Sequence, residues 1–439
     1  MELLQDPFEE AERMIAQVGK WIVGAIETRT FWPTKRQAVS FDGKKFVLMP
    51  AEMHEKSTSL PAIAIRANEY GLSDMEARVA IMRFASAIAW RERTKVEVVL
   101  WGGGNRPYPM GMLKNAGITH FFDSEFLPAP QDEAACKALA FYREGVSLDN
   151  PFYSFLSFYK AFSVAVMPPQ TRGEWIAGAI QQMGNRGALQ RLAELQGEGE
   201  DISNYVFNRG RHAIAHADKG EFVNPDDAQD HYRIFKDLPL MQHLAELAIE
   251  ERLGVNRLDT ILDEHTYELD GFREILPQEL TAALKAGRQV QPADGIEVPD
   301  DYLVLARKGH CKALLGVMSF YGAGVVDGGF CIQLKSAHRQ FALEFFLDFQ
   351  AERLVFDPLS NVAQLAAARS NREEVSEELS FLLFHKCILL NGHLEVWSAD
   401  GTKRYGCSEG YMPVNCSVDL EWFAAKEAEL NELLQQFPE

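Results

Sequence analysis

Proline and glycine punctuation between residues 151 and 255 constrains this chain more than any other feature. Pro168-Pro169 stops an aromatic-rich segment that runs from Phe152 to Met167. Asn224-Pro225-Asp226-Asp227 offers a cap, a proline and two acids in the order that starts a helix, and Gly254 ends that helix after Leu253. Between these signals lie a helical stretch from Arg172 to Leu195, weakened at Gly184 and Gly187, and a third helix around Tyr205 to His216. The expectation is four helices and no strand across about a hundred residues.

The flanks read differently. Before residue 150, Val39-Ser-Phe and Lys45-Phe-Val-Leu flank the turn Asp42-Gly43 as a hairpin. Ser73 caps a helix from Asp74 to Arg93 with Glu76 at the capping-box position, and the apolar run Val96 to Trp101 reads as a buried strand. Pro128, Pro130 and Asn150-Pro151 mark the exit. After residue 256, strands are expected at Tyr302 to Ala306, Gly316 to Tyr321, Phe330 to Leu334, Phe341 to Leu347 and His393 to Trp397, with helices at Asn361 to Ser376 and Val418 to Gln436. The fold class is therefore α+β and multidomain: an all-α bundle at 151–255 between α+β domains at 1–150 and 256–439.

At 439 residues and 47% hydrophobic composition, burying a core is no difficulty. No apolar run reaches eighteen residues, and the N-terminus lacks a basic region followed by an apolar core, so neither export nor membrane insertion is expected. Six cysteines without a Cys-x-x-Cys pair suit the reducing cytoplasm. The net charge of −19 opposes broad binding to polyanions. Between Asn204 and Lys219, however, the charges are Arg209, Arg211, Lys219 and a single acid, Asp218, so a local positive cleft survives in an acidic protein.

That third helix concentrates the chemistry. At about 100° per residue, His212 and His216 point the same way with Tyr205, Asn208 and Arg209 in the same arc. Val206, Gly210, Ala213, Ile214 and Ala217, with Phe207 at the margin, fill the opposite side. Arg211 lies between the faces.

Arg211-His212-Ala-Ile-Ala-His216 resembles the arginine, polar residue, three residues, histidine signature of the HEPN (higher eukaryotes and prokaryotes nucleotide-binding) domain. The resemblance implies a small helical bundle. It also implies a metal-independent endoribonuclease with RNA as substrate, no cofactor, and a site completed by a homodimer through the bundle. Arg211, His216 and His212 are then the catalytic candidates, and Arg209, Tyr205 and Asn208 the RNA-binding ones. Such RNases often serve as toxins or in defence, with a regulatory protein or antitoxin as partner; others are catalytically dead binding modules. The run from the motif through Val223-Asn-Pro-Asp-Asp and Leu238-Pro-Leu to Val255 is also similar to proteins under a methylamine-utilisation label, which describes neighbouring genes rather than an activity.

Competing assignments carry less weight. The two histidines could be partly exposed residues bonded to neighbouring helices, with Arg209 and Arg211 paired to Asp226 or Asp230. His-x-x-x-His can also grip zinc, but position 213 is alanine, and a third ligand would have to come from Asp227, Asp230 or His231. Asp226, Asp227 and Asp230 suit helix N-terminal electrostatics better than metal binding. Gly102-Gly-Gly-Asn-Arg-Pro107 reads as a surface loop. His385, Cys387, His393, Cys407 and Cys416 match no standard zinc ribbon.

Overall fold

The computed structural model describes residues 6–54, 57–113, 117–216, 222–224, 226–265, 267–276, 278–286, 298–326, 329–365, 369–408 and 418–437. Ala217, Asp218, Lys219, Pro225 and Cys416 lie outside the described residues. Two compact units divide the chain, one of Pro7–Leu258 and one built on Asp259–Glu439.

The first unit begins with a short helix, α1 (Pro7–Ala16), and an antiparallel sheet of β1 (Trp21–Thr28), β2 (Gln37–Phe41), β3 (Lys44–Met49), β4 (Ala62–Arg66) and β5 (Val96–Gly104) in the order β2-β3-β4-β1-β5. Strand alternation sorts the side chains. Trp21, Val23 and Ala25 join the layer containing Ala11 and Met14 of α1. Ile22 and Ile26 join the layer under α2 (Asp74–Glu92), which holds Ile81, Phe84 and Ile88. Asp42 and Gly43 both adopt positive φ and close the β2–β3 hairpin. Ser73 and Glu76 form the reciprocal capping box, contributing about 1 kcal/mol to α2.

β5 departs from expectation in two ways. It is an edge strand whose positions after the buried Val96 are all half-buried or exposed, not a buried strand. It also runs on through Gly102-Gly103-Gly104, paired with Trp21–Val23 rather than looping out. The glycines permit this: a Cβ on Gly103 would stand 2.8 Å from the Trp21 carbonyl oxygen, and one on Gly102 would strike Met110.

A helical layer follows: α3 (Glu133–Ser147), α4 (Pro151–Ala165), α5 (Arg172–Ala179), α6 (Arg186–Gly197), the composite α7 (202–215) and α8 (Ala228–Leu253). The expected long second helix breaks where the glycines weaken it; Asn185 caps the new start at α6. Gly254 takes the left-handed conformation and ends α8. α3 lies on the N-terminal side of the expected boundary at residue 150. Even so, Ala138, Leu139 and Tyr142 share one core with Phe155, Phe162, Leu244 and Ile249. Each fully buried aromatic there contributes about 2 to 3 kcal/mol.

The second unit has helices α9 (Asp270–Ile275) and α10 (Gln278–Lys285) before an antiparallel sheet. Its strands are β6 (Asp301–Lys308), β7 (Cys311–Val326), β8 (Gly329–Ser336), β9 (Phe341–Asp348), β10 (Arg353–Val355), β11 (Val362–Gln364), β12 (His393–Ser398) and β13 (Arg404–Cys407). The order is β10-β9-β8-β7-β6-β12-β13, with β11 also on β9. Helices α11 (Arg372–Leu389) and α12 (Leu420–Gln435) complete it. The helix expected from Asn361 to Ser376 is displaced. Residues 362–364 pair with β9 instead, and Asn371 caps α11, which reaches Leu389. Among the described residues no helix is long and apolar enough to cross a membrane.

Candidate functional site

The motif helix α7 is not a regular α-helix. Asp201 caps a first α turn (Ile202–Asn204), accepting from the Asn204 amide at 2.7 Å. Tyr205–His212 then winds as a π-helix, and Ala213–Ala215 returns to α before the chain extends at His216. The Ala213 N–H reaches back to the Asn208 carbonyl, the i to i+5 bond of a wider turn. Such a turn leaves carbonyls poorly served, and Arg233 of α8 donates from Nη1 to the Arg209 carbonyl at 2.8 Å. Gly210 lets the helix approach α4 closely, since a Cβ there would stand 2.4 Å from Phe155 Cζ.

The wider turn redistributes the expected stripe. His212 and His216 do come together, with ring centroids 4.6 Å apart, and both are half-buried. The Nδ1 of His212 is buried and has no hydrogen-bond partner among the described residues. Arg211, also half-buried, lies over the Phe207 ring at 5.9 Å, and Phe207 stacks beside His212 at 6.3 Å. Phe207, placed by a regular α-helix at the margin of the apolar side, is instead 47% exposed and joins the guanidinium to the imidazole pair. Among the described residues no carboxylate pairs with Arg211 and no hydrogen bond joins it to His216.

The other candidates go elsewhere. Asn208 is exposed and donates to Asn204 Oδ1 at 2.5 Å. Arg209 is held by Glu200 at 2.7 Å, rather than by Asp226 or Asp230, and lies over the Tyr205 ring. Tyr205 does not share the polar face at all. It is 2% exposed, and its hydroxyl donates to Asp237 Oδ2 of α8 at 3.0 Å while accepting from Arg191 Nη2 of α6 at 3.0 Å. Arg191 Nε closes the triangle on Asp237 Oδ1 at 2.7 Å. Burial raises the Asp237 carboxyl above the usual range despite the Arg191 guanidinium beside it.

Sequence reasoning missed this triangle, although a signal existed. Asp237 stands three residues after Ile234 and four before Met241, on the core-facing period of α8, where an unpaired acid would be costly. Glu246 repeats the pattern further along. It is fully buried and bonded to Tyr142, Arg93 and His243 at 2.7, 2.8 and 3.2 Å.

A cleft of about 350 Å³ opens beside the motif, lined by Tyr159, Phe162, Arg172, Val206 and Phe207 among others. Arg172 is committed to the carbonyls of Ser163 and Val166 at 2.9 and 3.1 Å and serves as part of the wall. The acids named as alternative metal ligands are engaged at the start of α8. Asp227 accepts from the Gln229 amide, and Asp230 accepts from the Asn224 amide while pairing with Arg233. His231 packs edge-on to Phe152. Among the described residues no group of three His, Cys, Asp or Glu side chains gathers as a metal site needs.

Residues 138–250 match the family of methylamine utilization protein MauJ. The similarity starts within α3 and ends within α8, so it takes in α4 to α7, the Arg211–His216 motif and the Arg191–Tyr205–Asp237 triangle. It covers about a quarter of the chain. No curated protein and no solved structure matches the chain.

Proposed function

We propose that the exposed side of α7 is the site of a HEPN-type, metal-independent endoribonuclease, with a toxin or defence role as its broader setting. The observation that carries the reading is the imidazole pair His212 and His216 at 4.6 Å, bridged through Phe207 to the Arg211 guanidinium. One imidazole takes the proton from a ribose 2′-hydroxyl, whose oxygen attacks the adjacent phosphorus. The bond from phosphorus to the 5′-oxygen breaks, and the second imidazole protonates the leaving oxygen. The products are a 2′,3′-cyclic phosphate and a 5′-hydroxyl. Arg211 holds the phosphoryl oxygens as charge builds on them. One helix supplies few groups, so a twofold dimer facing two copies of α7 completes the site. The positive groups are local, as a protein of net charge −19 requires.

A second reading rests on the 350 Å³ cleft beside Phe207: the same face binds a nucleotide or RNA end without cleaving it. Incubating the full chain with labelled RNA in chelator separates the two. The enzyme reading expects cyclic-phosphate products that fall by roughly a hundredfold or more in both Arg211→Ala and His216→Ala. Equal cleavage by wild type and both folded variants removes it, and RNA retention without cleavage selects the second.

A further inference from the structure

Outside α7, the first unit holds a cavity suited to a ligand. It holds about 540 Å³ and lies in the first unit between α2, α3, β5 and the Pro128-Ala129-Pro130 loop. Its α2 wall is a single helical stripe, Met75, Val79, Met82 and Ser86, at successive spacings of four, three and four residues. Val98 and Trp101 of β5 form the floor, and Cys136 and Ala140 line the α3 side.

Charge is distributed unevenly over this apolar space. The lining carries Arg78, Arg83, Lys137 and Arg143 against Asp42 and Glu133. Both acids are already matched, Asp42 by Lys44 and Gln131, and Glu133 by Lys137 at 2.6 Å. None of the three arginines has an ion pair among the described residues. Arg78 lies over the Trp101 indole at 5.2 Å, and its buried Nε has no acceptor among the described residues. Asp74, one turn before it, is taken by Lys20 at 2.5 Å. Arg143 Nη1 reaches only the Met82 carbonyl and sulfur, at 3.5 and 3.2 Å. Burial lowers the proton affinity of Arg143, with Glu144 and Glu97 opposing from a distance.

We infer that this cavity binds a small amphipathic organic anion, its flat or acyl body against Met82, Val98 and Trp101 and its carboxylate, sulfonate or phosphate head on Arg78 and Arg143. The volume falls within the range of small-molecule sites, roughly 300 to 1,000 Å³. A bidentate acid would satisfy guanidinium donors that the protein leaves unserved. The inference is independent of α7 and of any RNA chemistry there.

Anilinonaphthalene sulfonate is a suitable probe, with neutral N-phenylnaphthylamine as its uncharged counterpart. Fluorescence titration of the full chain is expected to saturate at one equivalent of the sulfonate. Arg78→Gln and Arg143→Gln should each weaken it by about tenfold or more, while the neutral compound keeps its affinity in both variants. Val79→Trp, at a half-exposed position of α2, and Ala140→Phe, on the opposite wall, should each abolish binding of both compounds with the circular dichroism unchanged. Absence of saturable binding overturns the inference. So does unchanged sulfonate affinity in the two glutamine variants, or undiminished binding in both filled variants.

Discussion

The triangle beneath the motif gives a quantitative test of what holds α7 in place. Arg191, Tyr205 and Asp237 come from three helices, and their bonds of 2.7 to 3.0 Å form a buried polar link among α6, α7 and α8. Side-chain exposure is 8% for Arg191 and 2% for Asp237, so solvent cannot replace a lost partner. Asp237→Leu leaves a buried guanidinium and a tyrosine hydroxyl without an acceptor, the situation that costs about 3 to 5 kcal/mol. Glu194, 2.9 Å from Arg191 Nη1, retains part of the compensation and places the expected loss near the lower end, about 3 kcal/mol. Arg191→Met strands the carboxylate instead, with Arg233 at 3.8 Å as a distant substitute.

Burial already raises the Asp237 carboxyl above 3.8, and losing the guanidinium raises it further. A carboxyl raised on folding contributes stability that is full below its unfolded value and lost as pH rises through its folded one. The Arg191→Met deficit should therefore shrink as pH falls toward about 4. Replacing both residues by apolar ones removes the stranded charge, so the double variant Arg191→Met/Asp237→Leu should lose about 1 kcal/mol or less. Urea midpoints of the four proteins, followed by circular dichroism, supply the cycle. Additive losses, with a coupling under about 0.5 kcal/mol, would refute the claim that these groups act as one buried unit.

Three further substitutions test packing and charge separately. Gly210→Ala should destabilise by about 1 to 2 kcal/mol, because its methyl group meets a Phe155 ring that is itself only 1% exposed. Gly178→Ala in α5, with open space around it, should stabilise by up to about 1 kcal/mol, and equal shifts in urea midpoint would discredit the steric argument. In the second unit, burial opposes the Glu395 carboxylate, yet His393, Arg307 and Trp397 hold it down to about 2. A carboxyl lowered on folding contributes above its unfolded value near 4.5 and loses that contribution as pH falls toward 2, about 3 kcal/mol here. Glu395→Gln should be less stable at neutral pH with a shallower acid dependence; a slope identical to wild type would count against it.

Local signals were legible in the sequence and distant partners were not. The Asp42-Gly43 turn, the Ser73 and Glu76 box and the Gly254 stop each depend on a few adjacent residues, and each stands where the sequence puts it. Val96 to Trp101 is an apolar run whose burial depends on which strands flank it, and only the strand order reveals an edge. Residues 362–364 join β9 through pairing that no local preference encodes. Of the central helices, α4 and α8 carry their caps and stops within the segment and stand close to where the sequence puts them, while the second expected helix divides before Arg186 and the third winds as a π-helix.

The motif shows most directly how a small change in winding alters a functional reading. A projection at a uniform 100° per residue puts Tyr205 with the histidines and Phe207 at the margin of the apolar side. One stretch of i to i+5 bonding exchanges them, turning the tyrosine inward to Asp237 and the phenylalanine outward to Arg211 and His212. The histidine pair survives because four residues remain nearly one turn in either helix type, which is why its contact was predictable when the rest of the stripe was not. Gly210 and Arg233 stand on either side of this winding. One allows the close approach to α4 and the other takes up a carbonyl of the π-helical stretch, so the geometry that exposes Phe207 and sets it beside Arg211 is held by residues outside the signature itself.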